Sequence, residues 1–190
     1  MSSQKDSTAS ASSSSALANS DMKSKGLAAK GLHRGKESAP IKMLEMCSVH
    51  VGQMLFGVPI THILEIVGGT ATQAVPLAPE FVGGLFHYRG DVLTTVSLRN
   101  LLGLPVQQSR QDILVLESSS GCFGLLVDSV GEVLTVSSAN HEPNPSILDQ
   151  RRSALFAGAY KLKEGLLIML DPEKINPDRL DPMRLGVAAA

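Results

Sequence analysis

Two charges stand apart from the other polar groups of this chain. Glu65 lies inside Ile63-Leu64-Glu65-Ile66-Val67, and Arg89 lies between Phe86-His87-Tyr88 and Gly90. Such an isolated charge tends to be paired or to serve a partner, because burying it uncompensated is costly. One pairing that satisfies both is Glu65 with Arg89. Arg89-Gly90-Asp91 also spells an adhesion tripeptide. No apolar leader segment accompanies it, and Gly90 with Asp91 suits a hairpin turn, which is the expectation here.

The search for reaction chemistry returns little. His33, His50, His62, His87 and His141 are scattered, and none has a second histidine, cysteine or carboxylate at ligand spacing on one element, so no metal site is expected. His62 and His87 are expected at a rim or on the surface. Cys47 and Cys122 sit in strand-like contexts and read as packing residues rather than nucleophiles. Gly68-Gly69 and Gly83-Gly84 lack the Gly-Lys-Ser/Thr that completes a phosphate loop, and no serine occupies a Gly-x-Ser-x-Gly elbow. The expectation is a protein without cofactor, metal or catalytic residue.

Short apolar or alternating runs must position these residues. Met43–Val51, Gln53–Val58, Asp91–Val96, Ile113–Glu117, Cys122–Val127, Glu132–Val136 and Leu166–Leu170 read as strands. Gly or polar turns separate them. Leu98–Leu102 suggests one helical turn closed by Gly103, and Ser146–Leu155 a short helix after Pro145. Pro172, Pro177 and Pro182 keep any helix beyond Asp171 short. Strands at this spacing predict an all-β barrel or sandwich.

Composition narrows the function classes. Lys and Arg number 17 against 18 Asp and Glu, but the balance is uneven: residues 1–40 carry six basic and three acidic groups, leaving the rest at −4. Nine of the first twenty residues are Ser, and residues 1–40 contain no Trp, Tyr or Phe. So few large apolar groups cannot offset ordering entropy, so this stretch is expected to be a disordered extension. An acidic remainder argues against nucleic-acid binding, which relies on basic surface. The longest aliphatic run, Leu166–Leu170, falls far short of the roughly 20 residues that span a bilayer, so no membrane insertion is expected. A reduced, cytoplasmic setting is the expectation from two lone cysteines.

The chain also repeats itself. Phe56–Val67 lies over Phe123–Leu134 at an offset of 67 residues, with Phe, Gly and Glu in register. Phe81–Phe86 lies over Leu155–Tyr160, and Val92–Val96 over Leu166–Leu170, both at an offset of 74. Two similar half-domains are predicted, about 41–106 and 107–180, each a small barrel, with 181–190 as a tail. They would share a core and enclose a groove, a favoured binding position.

These motifs, in this order, resemble the CheW family, the coupling proteins of bacterial chemosensory arrays. The resemblance is carried by Phe56-Gly57-Val58-Pro59-Ile60-Thr61-His62-Ile63-Leu64-Glu65-Ile66, Pro79–Gly84 leading to Tyr88-Arg89-Gly90, Leu98-Arg99, and Phe123–Leu134, and it covers about residues 44–178. It implies two SH3-like five-stranded β-barrel subdomains with short helical connections. It also implies a non-enzymatic adaptor that joins the cytoplasmic signalling tips of chemoreceptors to the regulatory domain of a CheA-type histidine kinase. By position, Glu65 and Arg89 match the family's charged positions beside the receptor groove. Ile63, Val130 and Val133 match its apolar wall, and Gly158 matches the second half's glycine-containing strand entry. Thr94 stands where the family pattern has Pro, and Ser97 where it has Asp. The alternative from the residues alone is a small-molecule or enzymatic barrel with a site at the subdomain junction.

Overall fold

The computed structural model describes residues 41–69, 71–107, 110–144, 153–163 and 165–185. The serine-rich stretch 1–40 and most of the predicted helix 146–155 lie outside them. Eleven strands form among the described residues: β1 (Met43–Val51), β2 (Met54–Pro59), β3 (Ile63–Val67), β4 (Val82–Tyr88), β5 (Asp91–Ser97), β6 (Asp112–Ser118), β7 (Gly121–Val127), β8 (Ser129–Ser137), β9 (His141–Glu142), β10 (Phe156–Leu162) and β11 (Gly165–Leu170). Three one-turn helices accompany them: α1 (Leu98–Leu101), α2 (Pro172–Ile175) and α3 (Pro182–Leu185). Ser97 caps α1 by accepting from the Asn100 N–H at 3.3 Å, so serine does here what an aspartate cap would do.

The strands build two sheets. The six-stranded sheet runs β8-β1-β2-β11-β10-β9, and the five-stranded sheet runs β3-β6-β7-β5-β4. Substituting each strand by its repeat counterpart converts the first five strands of one order into the other. The counterparts are β1 with β6, β2 with β7, β3 with β8, β4 with β10 and β5 with β11. The register agrees as well: Thr95 pairs with Gly124 in β5·β7, and Met169 with Gly57 in β11·β2. Gly57 and Gly124 are therefore equivalent. They lie mid-strand rather than at a hairpin or bulge, and the reason for glycine is close approach. A Cβ would lie 2.9 Å from Leu167 Cδ2 at Gly57 and 2.7 Å from Thr95 Cγ2 at Gly124.

The repeats are contiguous in sequence, but the sheets are not. Each opening hairpin, β1–β2 or β6–β7, pairs in parallel with the closing strands of the other repeat, through β2·β11 and β7·β5. A division near residue 106 thus cuts both sheets. Nor does packing stop at residue 180, since Leu185 is buried in the main core.

Each sheet curls until its edges share a core. Leu134 and Val136 of β8 meet Tyr160 and Leu162 of β10. Val67 of β3 meets Phe86 and Tyr88 of β4. A third and larger cluster draws on both repeats and includes the counterparts Phe56 and Phe123. Phe56 also packs on Phe156, with ring centroids 5.7 Å apart.

Candidate partner-binding site

Glu65 and Arg89 meet. β3 carries one extra residue, Leu64, where its pairing with β6 passes from Ile63↔Leu116 to Glu65↔Val115. A bulge of this kind re-aims the following side chain, and Glu65 accepts a hydrogen bond from Arg89 Nη2 at 2.8 Å. Arg89 and Gly90 form the β4–β5 turn with φ of 50° and 95°, the doubly positive geometry of a tight hairpin. The Arg89 guanidinium also lies 5.1 Å from the Tyr88 ring centre. Desolvation and the adjacent Glu65 raise the Tyr88 phenol above its ordinary pKa. The pair latches the seam of the five-stranded barrel, where edge strands β3 and β4 approach. It remains open to solvent, with side-chain exposures of 72% for Arg89 and 39% for Glu65.

The apolar residues named from the sequence fall in two settings. Ile63 and Val130 are repeat counterparts, and both pack half-buried against the shared core. Val133 is 59% exposed on β8. Gly158 answers to a demand of the fold. It is buried at an irregularity of β10 with φ of 117°, and a Cβ there would lie 2.3 Å from His141 Nε2. The same holds for its counterpart Gly84, where a Cβ would lie 2.6 Å from the Gln73 carbonyl oxygen.

Two features were not foreseen. The first is a groove of about 760 Å³ on the seam of the six-stranded barrel, rather than at the junction between barrels. Leu55, Leu134, Leu162, Leu166 and Ile168 form its apolar wall, and Ser48, His50 and Glu132 its polar rim. Gly131 lines it at the counterpart of Leu64, and a Cβ there would lie 2.5 Å from Ser48 Oγ. The second is a buried ion pair. Arg99, 9% exposed, donates from Nε to Asp128 Oδ1 at 2.9 Å and from Nη2 to Oδ2. The rule that singled out Glu65 applies equally to Arg99 in Leu98-Arg99-Asn100-Leu101 and to Asp128 after Leu125-Leu126-Val127.

Among the described residues, no group of three or more His, Cys, Asp or Glu is placed to hold a metal ion. None of their helices is long and apolar enough to cross a membrane. Burial pushes the Cys47 thiol up, away from nucleophilic thiolate character.

Residues 45–179 match the model of the CheW-like domain. The chain belongs to the CheW-like domain family. It is 30% identical to chemotaxis protein CheW of Rhizobium meliloti (strain 1021) over 135 residues, 70% of this chain and 87% of that one. Identity to the chemotaxis protein CheW of Helicobacter pylori (strain ATCC 700392 / 26695) is 28% over 136 residues, 70% of this chain and 82% of that one. Its fold matches the crystal structure of the scaffolding protein TtCheW from Thermoanaerobacter tengcongensis, with a TM-score of 0.64 at 22% identity, covering 70% of this chain and 92% of that one. Family membership makes this chain a non-enzymatic scaffold of chemotaxis signalling.

Proposed function

We propose that this CheW-like chain seats a helix of a chemoreceptor's cytoplasmic tip along Ile63, Val130 and Val133, beside the Glu65–Arg89 pair. A barrel face meanwhile docks the regulatory domain of a CheA-type histidine kinase. The protein then works in the cytoplasm, at the inner face of membrane-bound receptor arrays. Helix-in-groove recognition uses spaced aliphatic anchors of this kind.

The observation that carries the proposal is the setting of Arg89. A non-glycine residue in the left-handed region costs roughly 1–2 kcal/mol. An ion pair this exposed returns less than about 1 kcal/mol to stability. Folding alone does not account for arginine at that turn, whereas a charged contact to a partner does.

The test is titration of purified protein with a receptor signalling fragment and, separately, with the kinase regulatory domain. In an interface, truncating one member of a desolvated pair costs about 2–5 kcal/mol, or roughly 30-fold to several thousandfold in affinity. Arg89→Ala is expected to weaken receptor binding within that range. Unchanged affinity for both fragments would remove the Glu65–Arg89 pair from the partner site and overturn the proposal.

A further inference from the structure

The chain passes between the two sheets twice, at Ile60–His62 and at Asp128, and the two crossings are held in different ways. At the first, His62 Nδ1 lies 3.0 Å from the Glu117 carbonyl oxygen, and the Ile63 N–H closes the turn on the Ile60 carbonyl. At the second, one residue separates β7 from β8, and four hydrogen bonds gather around it. The Asp128 carboxylate accepts from Gly52 N–H at 2.7 Å and from Arg99 Nε and Nη2, while its own N–H donates to the His50 carbonyl at 3.1 Å. Arg99 uses its remaining reach on the segment before β6, donating to the Pro105 carbonyl at 2.9 Å and to Gln107 Oε1 at 2.6 Å. Two residues beyond Asp128, the Val130 N–H donates to Asp112 Oδ2 at 3.0 Å.

A buried ion pair is weak grounds for stability, because desolvation cancels much of its attraction. Its better-attested use is to select one register among several apolar alternatives. Here the alternatives concern β8. That strand enters its sheet through a bulge, and slipping it would displace Val130, which packs against the shared core as Ile63 does, together with the exposed Val133. Arg99 is 9% exposed, and its guanidinium is committed to Asp128, Pro105 and Gln107. We propose that Arg99, acting through Asp128, is a positioning residue that sets the register of β8 and so the second wall of the partner groove. The clamp as such is independent of the proposed function, but its effect on receptor affinity rests on that reading.

Arg99→Lys keeps the cation and removes the planar fork that spans both carboxylate oxygens. The variant is expected to unfold cooperatively. Its Val130 amide should exchange at least tenfold faster, with the amides of β3 unchanged. Receptor-fragment affinity should fall at least tenfold, while affinity for the kinase regulatory domain stays within twofold. If the Val130 amide exchanges as in the wild type, the positioning role is wrong. If the two affinities fall in the same proportion, the role is merely structural and the proposal is also wrong. Should Arg99→Lys fail to fold, Asp128→Asn, which keeps the shape and still accepts from Gly52, is read by the same measurements. A wild-type protein that binds no receptor fragment would defeat the proposed function alone, because amide exchange at Val130 decides the clamp without a partner.

Discussion

The two barrels follow one plan and are finished differently. In the five-stranded barrel the seam is covered by Tyr88 and Arg89, latched to Glu65. In the six-stranded barrel the counterparts are Leu162, Lys163 and Glu132, no ion pair joins the last two, and the seam stands open as the groove of about 760 Å³. The crossovers differ in the same spirit. Asp128, at one, is clamped by an arginine inside the protein. At the counterpart of Arg99 stands Glu173, which accepts from the Ser119 N–H at 2.7 Å and lies within 3.7 Å of Arg179 at the surface. An acid stands in one repeat where the other has a base, Thr61 stands at the counterpart of Asp128, and only the arginine is buried. Equivalent positions in a duplicated fold thus keep their backbone role, here holding a hairpin turn, while their side chains diverge toward packing or toward exposure.

The largest expected effect separates the two clamps. Asp128→Ala strands the Arg99 cation in the interior and is expected to destabilise by about 3–5 kcal/mol, read by denaturant unfolding. Glu173→Ala at the exposed counterpart should move the midpoint little. Equal losses would remove the distinction between buried and exposed clamps.

Acid should dissect the buried clamp further. Hydrogen bonds from Arg99 first, then from Gly52, hold the Asp128 carboxyl below its ordinary pKa against an opposing desolvation. A carboxyl depressed in the folded state contributes stability above its unfolded pKa, about 3.9, and loses it as pH falls through the lower folded value. Wild type should therefore lose stability progressively below about pH 4. Asp128→Asn should lack that component, so identical acid profiles would count against it.

Filling the open seam is expected to come next in size. Gly131→Leu restores the residue type of the sister bulge but drives a side chain into Ser48 Oγ, at a cost of about 1–3 kcal/mol. Gly90→Ala, where no atom lies within 4 Å of the added carbon, should feel only the strain of its positive φ. A Gly131→Leu variant as stable as wild type would mean that the groove is malleable. Smaller still is Arg89→Gly. It removes an exposed ion pair and relieves a left-handed arginine, so thermal unfolding should shift by less than about 1 kcal/mol. Removing residues 1–40 should leave cooperative unfolding of the remainder intact, and its loss would place that stretch in the core.

Much of this was legible beforehand, for identifiable reasons. The duplication shows in sequence because Phe56-Gly57 and Phe123-Gly124 answer to the same close strand approach. The Glu65–Arg89 contact shows because each charge lacks local company. Strands β3, β4 and β10 were not assigned from their runs alone. β3 is five residues with a charge at its centre, and β4 and β10 contain Gly83-Gly84 and Gly158, which weaken strand propensity. The interleaving of the repeats was invisible because similarity says which segments are alike, whereas parallel pairing between distant strands depends on tertiary closure. The fold's demand for glycine at position 158 was invisible for a related reason. It comes from His141, 17 residues away in sequence and absent from any local pattern.

The interleaving has a consequence for synthesis. Leu167 pairs with Leu55, 112 positions earlier, and Ser97 with Leu126, 29 positions later. The five-stranded barrel can close once β7 is available. The six-stranded one must wait for β11, near the end of the chain, with its first hairpin unpaired on one edge. Long-range parallel pairing is slow, and an exposed edge invites association with other chains. During translation, the β1–β2 hairpin is therefore the segment that stays longest without its native neighbour, and the one a chaperone would most usefully cover.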